Sequence, residues 1–387
     1  MFFIRTLDLI VPKNEHLIVC GAPYAAGNSY YFLQYVTEEH YLGYRAVWLS
    51  RNENDVKQIR AKFGPDSAFK ITSIKGIYFY LRAKVVEFSH GASDLFYLIG
   101  NWNPRKYVVN FWHGIPIKRM DGLKYNTKCR WDLMIASSDI EKRIYEEISE
   151  IRSDIIISGY PRNEYLAKNV SNSELVEKLK KPILKKINFI PDEIITYMPT
   201  YRSHEKTQLF PFQDFESNIL IEFLRANNIL IILRLHPNEK SSLTDKKYAN
   251  LINSGYVISG NMSEIKRTSD LLLISDLVIT DYSSVYYDFL TLKRPTIFIP
   301  YDKPEYETLY GFSLDYNKRS SQLTALDFQS FLQLIRKINS KDEKIDDKIK
   351  SEYKQFHQYE SENCTETIIN EIHKRESSKK FWDKPWK

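Results

Sequence analysis

"LVITDYSSVYYDFLTLKRPTIFIPYD", Leu277 to Asp302, contains one complete strand–helix–strand unit. A β-branched apolar run from Leu277 to Thr280 stops at Asp281. Ser283 and Ser284 then open an amphipathic segment, and Pro295 introduces a second apolar run that closes at Asp302. Two short strands separated by a helix cannot form a hairpin; they pair in parallel through a crossover.

The same alternation recurs along the chain. In the first half, "HLIVCG" (His16–Gly21) reads as a strand and the segment from Ser29, "SYYFLQYVTEEHYLG", as the helix after it. Further strands are expected at "YRAVWLS" (Tyr44), "AKVVEFS" (Ala83), "KYVVNFW" (Lys106), "WDLMIAS" (Trp131) and "DIIIS" (Asp154). A second series comprises "IITYMPTYR" (Ile194), "ILIILRLHPN" (Ile229), "YVIS" (Tyr256) and the two strands quoted first. Between the series lies a lysine-rich, polar stretch with little core character. The resulting expectation is a Rossmann-like domain over 1–170, a linker over 171–190, a second Rossmann-like domain over 191–345, and C-terminal helices with a basic, aromatic tail over 346–387. In open α/β sheets ligands bind beyond the carboxyl ends of strands, so chemically unusual residues there are the first candidates for a site.

Composition narrows the field. The 387 residues are 43% hydrophobic and 27% charged, a globular balance. A net charge of +6 from 55 cations and 49 anions excludes a nucleic-acid coat but suits an anionic substrate or membrane surface. Cys20, Cys129 and Cys364 are widely spaced, which argues against a disulfide framework or zinc site. Arg5, Asp8, Lys13 and Glu15 interrupt the apolar N-terminus, which does not read as a signal peptide. No metal motif stands out, and no cofactor is expected.

Two strand ends carry a histidine. "VVNFWHGIPIKRM" puts His113 after a β-rich run, with Gly114 to admit a substrate to the backbone and Pro116 to stiffen the turn. A neutral imidazole there can take a proton from an attacking hydroxyl; it can equally be a strand-end histidine bonded to a loop carbonyl. "LRLHPN" repeats the arrangement, with Arg234 two residues before His236, on one strand face by the period-2 rule. Asp281, Ser283 and Ser284 suit phosphate recognition at a helix start, or ordinary capping. Thr200 and Arg202 in "YMPTYRS", and Arg162 in "SGYPRNEYL", add donors at other strand ends. "KKFWDKPWK" mixes lysines with aromatics, as a lipid-headgroup interface or a solvated tail would.

As an ordered set, "NFWHGIPIK", "SGYPRNEYL", "MPTYR", "LRLHPN", "ITDYSSVYYDFLTLKRPTIFIPYD" and "GFSLDY" resemble the CDP-glycerol glycerophosphotransferase family of teichoic acid primases and polymerases and related capsule polymerases. The resemblance runs from Asn110 to Tyr316, with an echo at "GNSYYF". It implies a GT-B fold, two Rossmann-like domains facing across a cleft, at the cytoplasmic face of the membrane. It also implies transfer of glycerol phosphate from CDP-glycerol to a hydroxyl of a lipid-linked acceptor. His113 then matches the general base and His236 the second essential histidine. Asp281, Ser283 and Ser284 match the donor site, and Asp315 an acidic position near the nucleotide-linked polyol. Arg202 and Arg234 would meet phosphates on the chemistry of the guanidinium more than on the resemblance. The chain departs from the family pattern at Asn28, where a lysine is usual, and at "NKRSSQLTAL", which replaces a Pro/Gly-rich segment. The chain reads as a lone catalytic module without the long N-terminal extension of many polymerases. CDP-ribitol transfer, a nucleotide-sugar glycosyltransferase on the same fold, and a membrane-surface scaffold are the competing readings.

Overall fold

The structure, a computed structural model, describes residues 2–91, 93–95, 103–120, 131–148, 153–202, 206–236, 239, 248–260, 265–358 and 363–378. The expected tail "KKFWDKPWK", Cys129 and Pro237 lie outside the described residues. Twelve strands occur among those described: β1 Asn14–Gly21, β2 Arg45–Ser50, β3 Ala68–Lys70, β4 Ala83–Phe88, β5 Tyr107–Asn110, β6 Leu133–Ala136, β7 Asp154–Ile157, β8 Glu193–Tyr197, β9 Ile229–Leu233, β10 Val257–Ser259, β11 Leu277–Thr280 and β12 Thr296–Phe298. All pair in parallel, in a seven-stranded sheet ordered β3-β2-β1-β4-β5-β6-β7 and a five-stranded sheet ordered β10-β9-β8-β11-β12. In each sheet the order reverses once, between β1 and β4 and between β8 and β11, the switch points where such sheets bind ligands.

Contacts divide the chain into two compact units. The first comprises residues 1–113, 120–165 and 357–387; the second comprises 114–119 and 166–356. In the second unit, every residue of the β9 run "ILIIL" is buried. Each such side chain contributes about 1.5–3 kcal/mol relative to exposure. The helices Ser217–Ala226 and Phe328–Asn339 cover one face of its sheet through Leu220, Leu224, Phe331 and Ile335.

The divisions differ from those expected. Residues 171–190 contain the helix Ser173–Leu184, capped by Asn172, whose side chain accepts the Leu175 N–H at 3.1 Å. Its Val176, Leu179 and Ile183 fall on one helical stripe and pack with Leu230 and Ile232 of β9, so this stretch belongs to the second unit's core. The lysines that gave it a linker's composition occupy the opposite, solvated face. The C-terminal region also divides: helix Glu343–Phe356 packs in the second unit, whereas helix Cys364–Ser378 completes the first. There Glu164 accepts the Thr365 backbone N–H at 2.7 Å, and Tyr44 donates to Glu376 at 2.5 Å. Among the described residues, no helix is long and apolar enough to cross a membrane.

Candidate functional site

In the first unit, β5 ends at Asn110 and the chain turns sharply. Trp112 adopts φ +52° and Gly114 φ +130°, both outside the right-handed region, so the strand direction is lost within three residues. His113 lies in this turn with solvent at its surface. The parallel ring of His90 stacks on it at 4.8 Å, and the Trp112 indole lies 4.4 Å away. Arg162 donates from Nη1 to the His113 carbonyl at 2.8 Å. Thus Arg162 and His113, expected separately, meet in one unit.

The electrostatics keep both imidazoles neutral. Crowding of the His113 ring, then the neighbouring His90 and the Arg162 cation, hold its pKa down at about 3, against a hydrogen bond with the Ser89 backbone that favours protonation. Burial and then Arg162 hold His90 at about 4. A ring that is neutral throughout the physiological range has a lone pair free to accept a proton, at the cost of low basicity.

His90 was not among the expected site residues, although its signal is visible in the sequence. "SHG" follows β4 as "WHG" follows β5, so adjacent strands each end in a His-Gly pair. At the end of β4, Ser29 donates to the fully buried Glu87 at 2.7 Å and is hydrogen-bonded to Ser89. Burial raises the Glu87 pKa well above the usual carboxylate range, with Ser29 and other donors opposing this.

In the second unit, the expected residues gather at the ends of β8 and β11. Thr200 donates its N–H and its hydroxyl to Asp281 Oδ1, at 2.8 and 2.5 Å, tying the two strand ends together. Arg202, expected as a phosphate ligand, is buried and fully engaged here. Its Nε and Nη2 donate to the two oxygens of Asp302 at 2.6 and 2.8 Å, and its Nη1 lies 2.9 Å from Asp281 Oδ2. Tyr282 also donates to Asp302, at 3.0 Å. The guanidinium therefore braces the loops, with two carboxylates balancing its charge.

Arg234 also departs from expectation. It is buried and donates from Nη1 to the carbonyls of Gly260 and Ile265, at 2.8 and 2.7 Å. β9 ends at Leu233, so the period-2 rule no longer places Arg234 and His236 on one face; His236 is exposed and stacks on Tyr201 at 4.9 Å. Burial lowers the His236 pKa, and Glu239 partly opposes this. Ser283 and Ser284 precede the short helix Val285–Leu290, and the Ser283 hydroxyl accepts the Val285 N–H at 3.3 Å.

Asp315 lies in a different part of the second unit. It is exposed, caps the helix Tyr316–Ser320 by accepting the Lys318 N–H at 3.1 Å, and lines an open hollow of about 530 Å³. Arg119 and Lys303 supply cations to that hollow and Phe312 an aromatic face. Residues 117–119 are latched to its rim: Ser313 N–H donates to the Ile117 carbonyl at 2.8 Å and Arg119 N–H to the Gly311 carbonyl at 3.2 Å. Gly311 sits at φ +63°, and a Cβ there would come within 3.0 Å of Arg119 Nε, so the latch requires glycine. Among the described residues, no His, Cys, Asp and Glu cluster has the arrangement of a metal site.

Comparison with known proteins shows what the chain is similar to. The chain is 31% identical over 240 residues, 56% of its length, to a teichoic acid glycerol-phosphate transferase of Staphylococcus aureus. It is 25% identical over 391 residues, 95% of its length, to a teichoic acid poly(glycerol phosphate) polymerase of Staphylococcus epidermidis. It spans 58% and 51% of those relatives, about half the length of each. The solved structure of the wall teichoic acid polymerase TagF superposes with a TM-score of 0.73 at 23% identity, covering 97% of this chain and 93% of that one. That likeness shows the fold, the GT-B α/β class expected from the motifs. The family described as CDP-glycerol:poly(glycerophosphate) glycerophosphotransferase matches residues 3–374, from before β1 to within the last helix, and it is to this family that the chain belongs.

Proposed function

We propose that the chain transfers glycerol phosphate from CDP-glycerol to a hydroxyl of a lipid-linked acceptor in teichoic acid or capsule-type polymer synthesis, releasing CMP. The observation that carries this reading is an accessible, neutral His113 at a strand end of a chain that belongs to this family. The acceptor hydroxyl attacks the β-phosphorus in line; a new P–O bond forms as the bond to CMP breaks, and the hydroxyl proton passes to the His113 imidazole. His236, Ser283 and Ser284 are assigned to the charge on the donor phosphates, and Asp315 to the nucleotide-linked polyol. Gly114 and Arg162 are assigned to the acceptor side. Arg202, Arg234, Thr200 and Asp281 serve that site by holding its loops.

The test is mass analysis of products after the purified chain meets a lipid-linked disaccharide acceptor and CDP-glycerol, with CDP-ribitol and UDP-sugars in parallel. A mass gain of one or more glycerol phosphate units supports the reading; a gain only with another donor overturns it. Because His113 gains a proton only near pH 3, kcat/KM is expected to stay level from about pH 8 down to about pH 4 and to fall by half near pH 3. An acid limb centred near pH 6.5 would mean that the base is another, ordinary imidazole.

The same reading assigns the chain to the cytoplasmic membrane face, as a peripheral protein. Support comes from the packed helices Phe2–Ile10 and Ile74–Arg82, which expose Phe3, Ile10, Ile74 and Tyr78. Such side chains suit insertion among headgroups. Co-sedimentation with anionic vesicles is expected and should weaken several-fold in Ile74→Asp. Binding unchanged by that substitution would assign the lipid contact elsewhere.

A further inference from the structure

The peptide before His113 is held by an unusual device. Trp112 occupies the left-handed region at φ +52°, which costs an L-residue about 1–2 kcal/mol. A bulky side chain rarely stays there unless its surroundings over-determine it. Here both polar groups of the Trp112 backbone are tied to buried asparagines. Its N–H donates to Asn110 Oδ1 at 2.8 Å, and its carbonyl accepts from Asn28 Nδ2 at 3.0 Å. Both asparagines are 1% exposed. Asn110 lies two residues upstream and closes a local turn, whereas Asn28 reaches across from the first turn of helix Gly27–Glu39.

That helix start is itself fixed from behind. Ser29, the next residue, donates to Glu87 Oε1 at 2.7 Å and is hydrogen-bonded to Ser89. The Ser89 backbone in turn takes the hydrogen bond of the His113 ring. Two adjacent residues of one helical turn therefore connect to the histidine, Asn28 through the preceding peptide and Ser29 through the strand end that meets the ring.

We infer that Asn28 is a positioning residue for His113, holding the Trp112–His113 peptide in the left-handed turn that aims the imidazole out of the sheet. Only a donor serves here, because the group it meets is a carbonyl oxygen. Aspartate has asparagine's shape but would direct a lone pair at that oxygen. The inference rests on His113 being the base, as proposed above.

Its test uses the full chain carrying Asn28→Asp or Asn28→Ala, with far-UV circular dichroism to establish folding. Should neither fold, Asn28→Ser serves: serine suits a helix start but is too short to reach the Trp112 carbonyl. The folded variant is expected to lose about 10- to 100-fold in kcat, as a misaimed group does, with KM for CDP-glycerol within about threefold. Nuclear magnetic resonance of histidine-labelled protein supplies an arm independent of turnover. The His113 ring signals should titrate at higher pH in the variant, because a ring released from its crowded seat regains water. A folded variant with wild-type kcat overturns the inference, as does a lower kcat with an unchanged His113 titration. If His113→Ala turns over like wild type, the base assignment falls instead, while the titration arm still decides whether Asn28 seats the ring.

Discussion

Replacing His113 with alanine is expected to lower glycerol phosphate transfer by about 10²- to 10⁴-fold, the usual worth of a positioned general base. The loss should fall on kcat and leave stability close to wild type. The reason is local: His113 is an exposed turn residue outside the apolar core, and its ring contacts that core only by stacking on Trp112. His113→Asn would keep a polar side chain without a basic nitrogen and should be nearly as impaired. Single-turnover measurements with saturating CDP-glycerol separate the chemical step from product release. Transfer within about threefold of wild type for both variants would remove His113 from the chemistry, since a base contributes far more than that.

The second large effect concerns stability. Arg202→Met, which keeps length and removes charge, should lower the unfolding free energy of the second unit by about 3–5 kcal/mol. Asp281 and Asp302 would be left facing each other without the cation that now lies 2.9 and 2.6 Å from them. Arg202→Lys should recover only part of this, because an ammonium cannot span both oxygens of Asp302 as the guanidinium does. Urea denaturation followed by tyrosine or tryptophan fluorescence measures the difference. If Arg202→Met is as stable as wild type yet loses affinity for CDP-glycerol, the guanidinium is a phosphate ligand after all, not a brace.

The contrast between His113 and Arg202 shows what local sequence carries. Eleven of the twelve described strands were legible, because each lies in an apolar or β-branched stretch bounded by polar turns. β3, Ala68–Lys70, offers only Ala68 and Phe69 before Lys70 breaks the run, whereas the equally short β10 and β12 sit in the apolar stretches "YVIS" and "PTIFIP". Candidate sites at strand ends were legible for the same reason, since a histidine after an apolar run is a local event. What those residues touch was not. Arg202 and Asp302 are 100 residues apart, and nothing near either announces the other. Asn28 was noted only as a departure from a family pattern; its contact with Trp112 spans 84 residues. Likewise the lysines over 171–190 describe the solvated face of a helix and conceal the apolar stripe that buries it.

The helix Cys364–Ser378 has a consequence for how the protein is made. Its first turn is tied to Glu164, 201 residues upstream, and its last to Tyr44, 332 residues upstream. A ribosome adding about 5–20 residues each second takes about 10–40 s to cover the nearer separation. By the end of that interval the second unit has received its last residue, Phe356, while the first, though begun earlier, still waits for its final helix. The order of completion is thus the reverse of the order of synthesis, and the apolar surface that helix Cys364–Ser378 covers is the last to be shielded in the nascent chain.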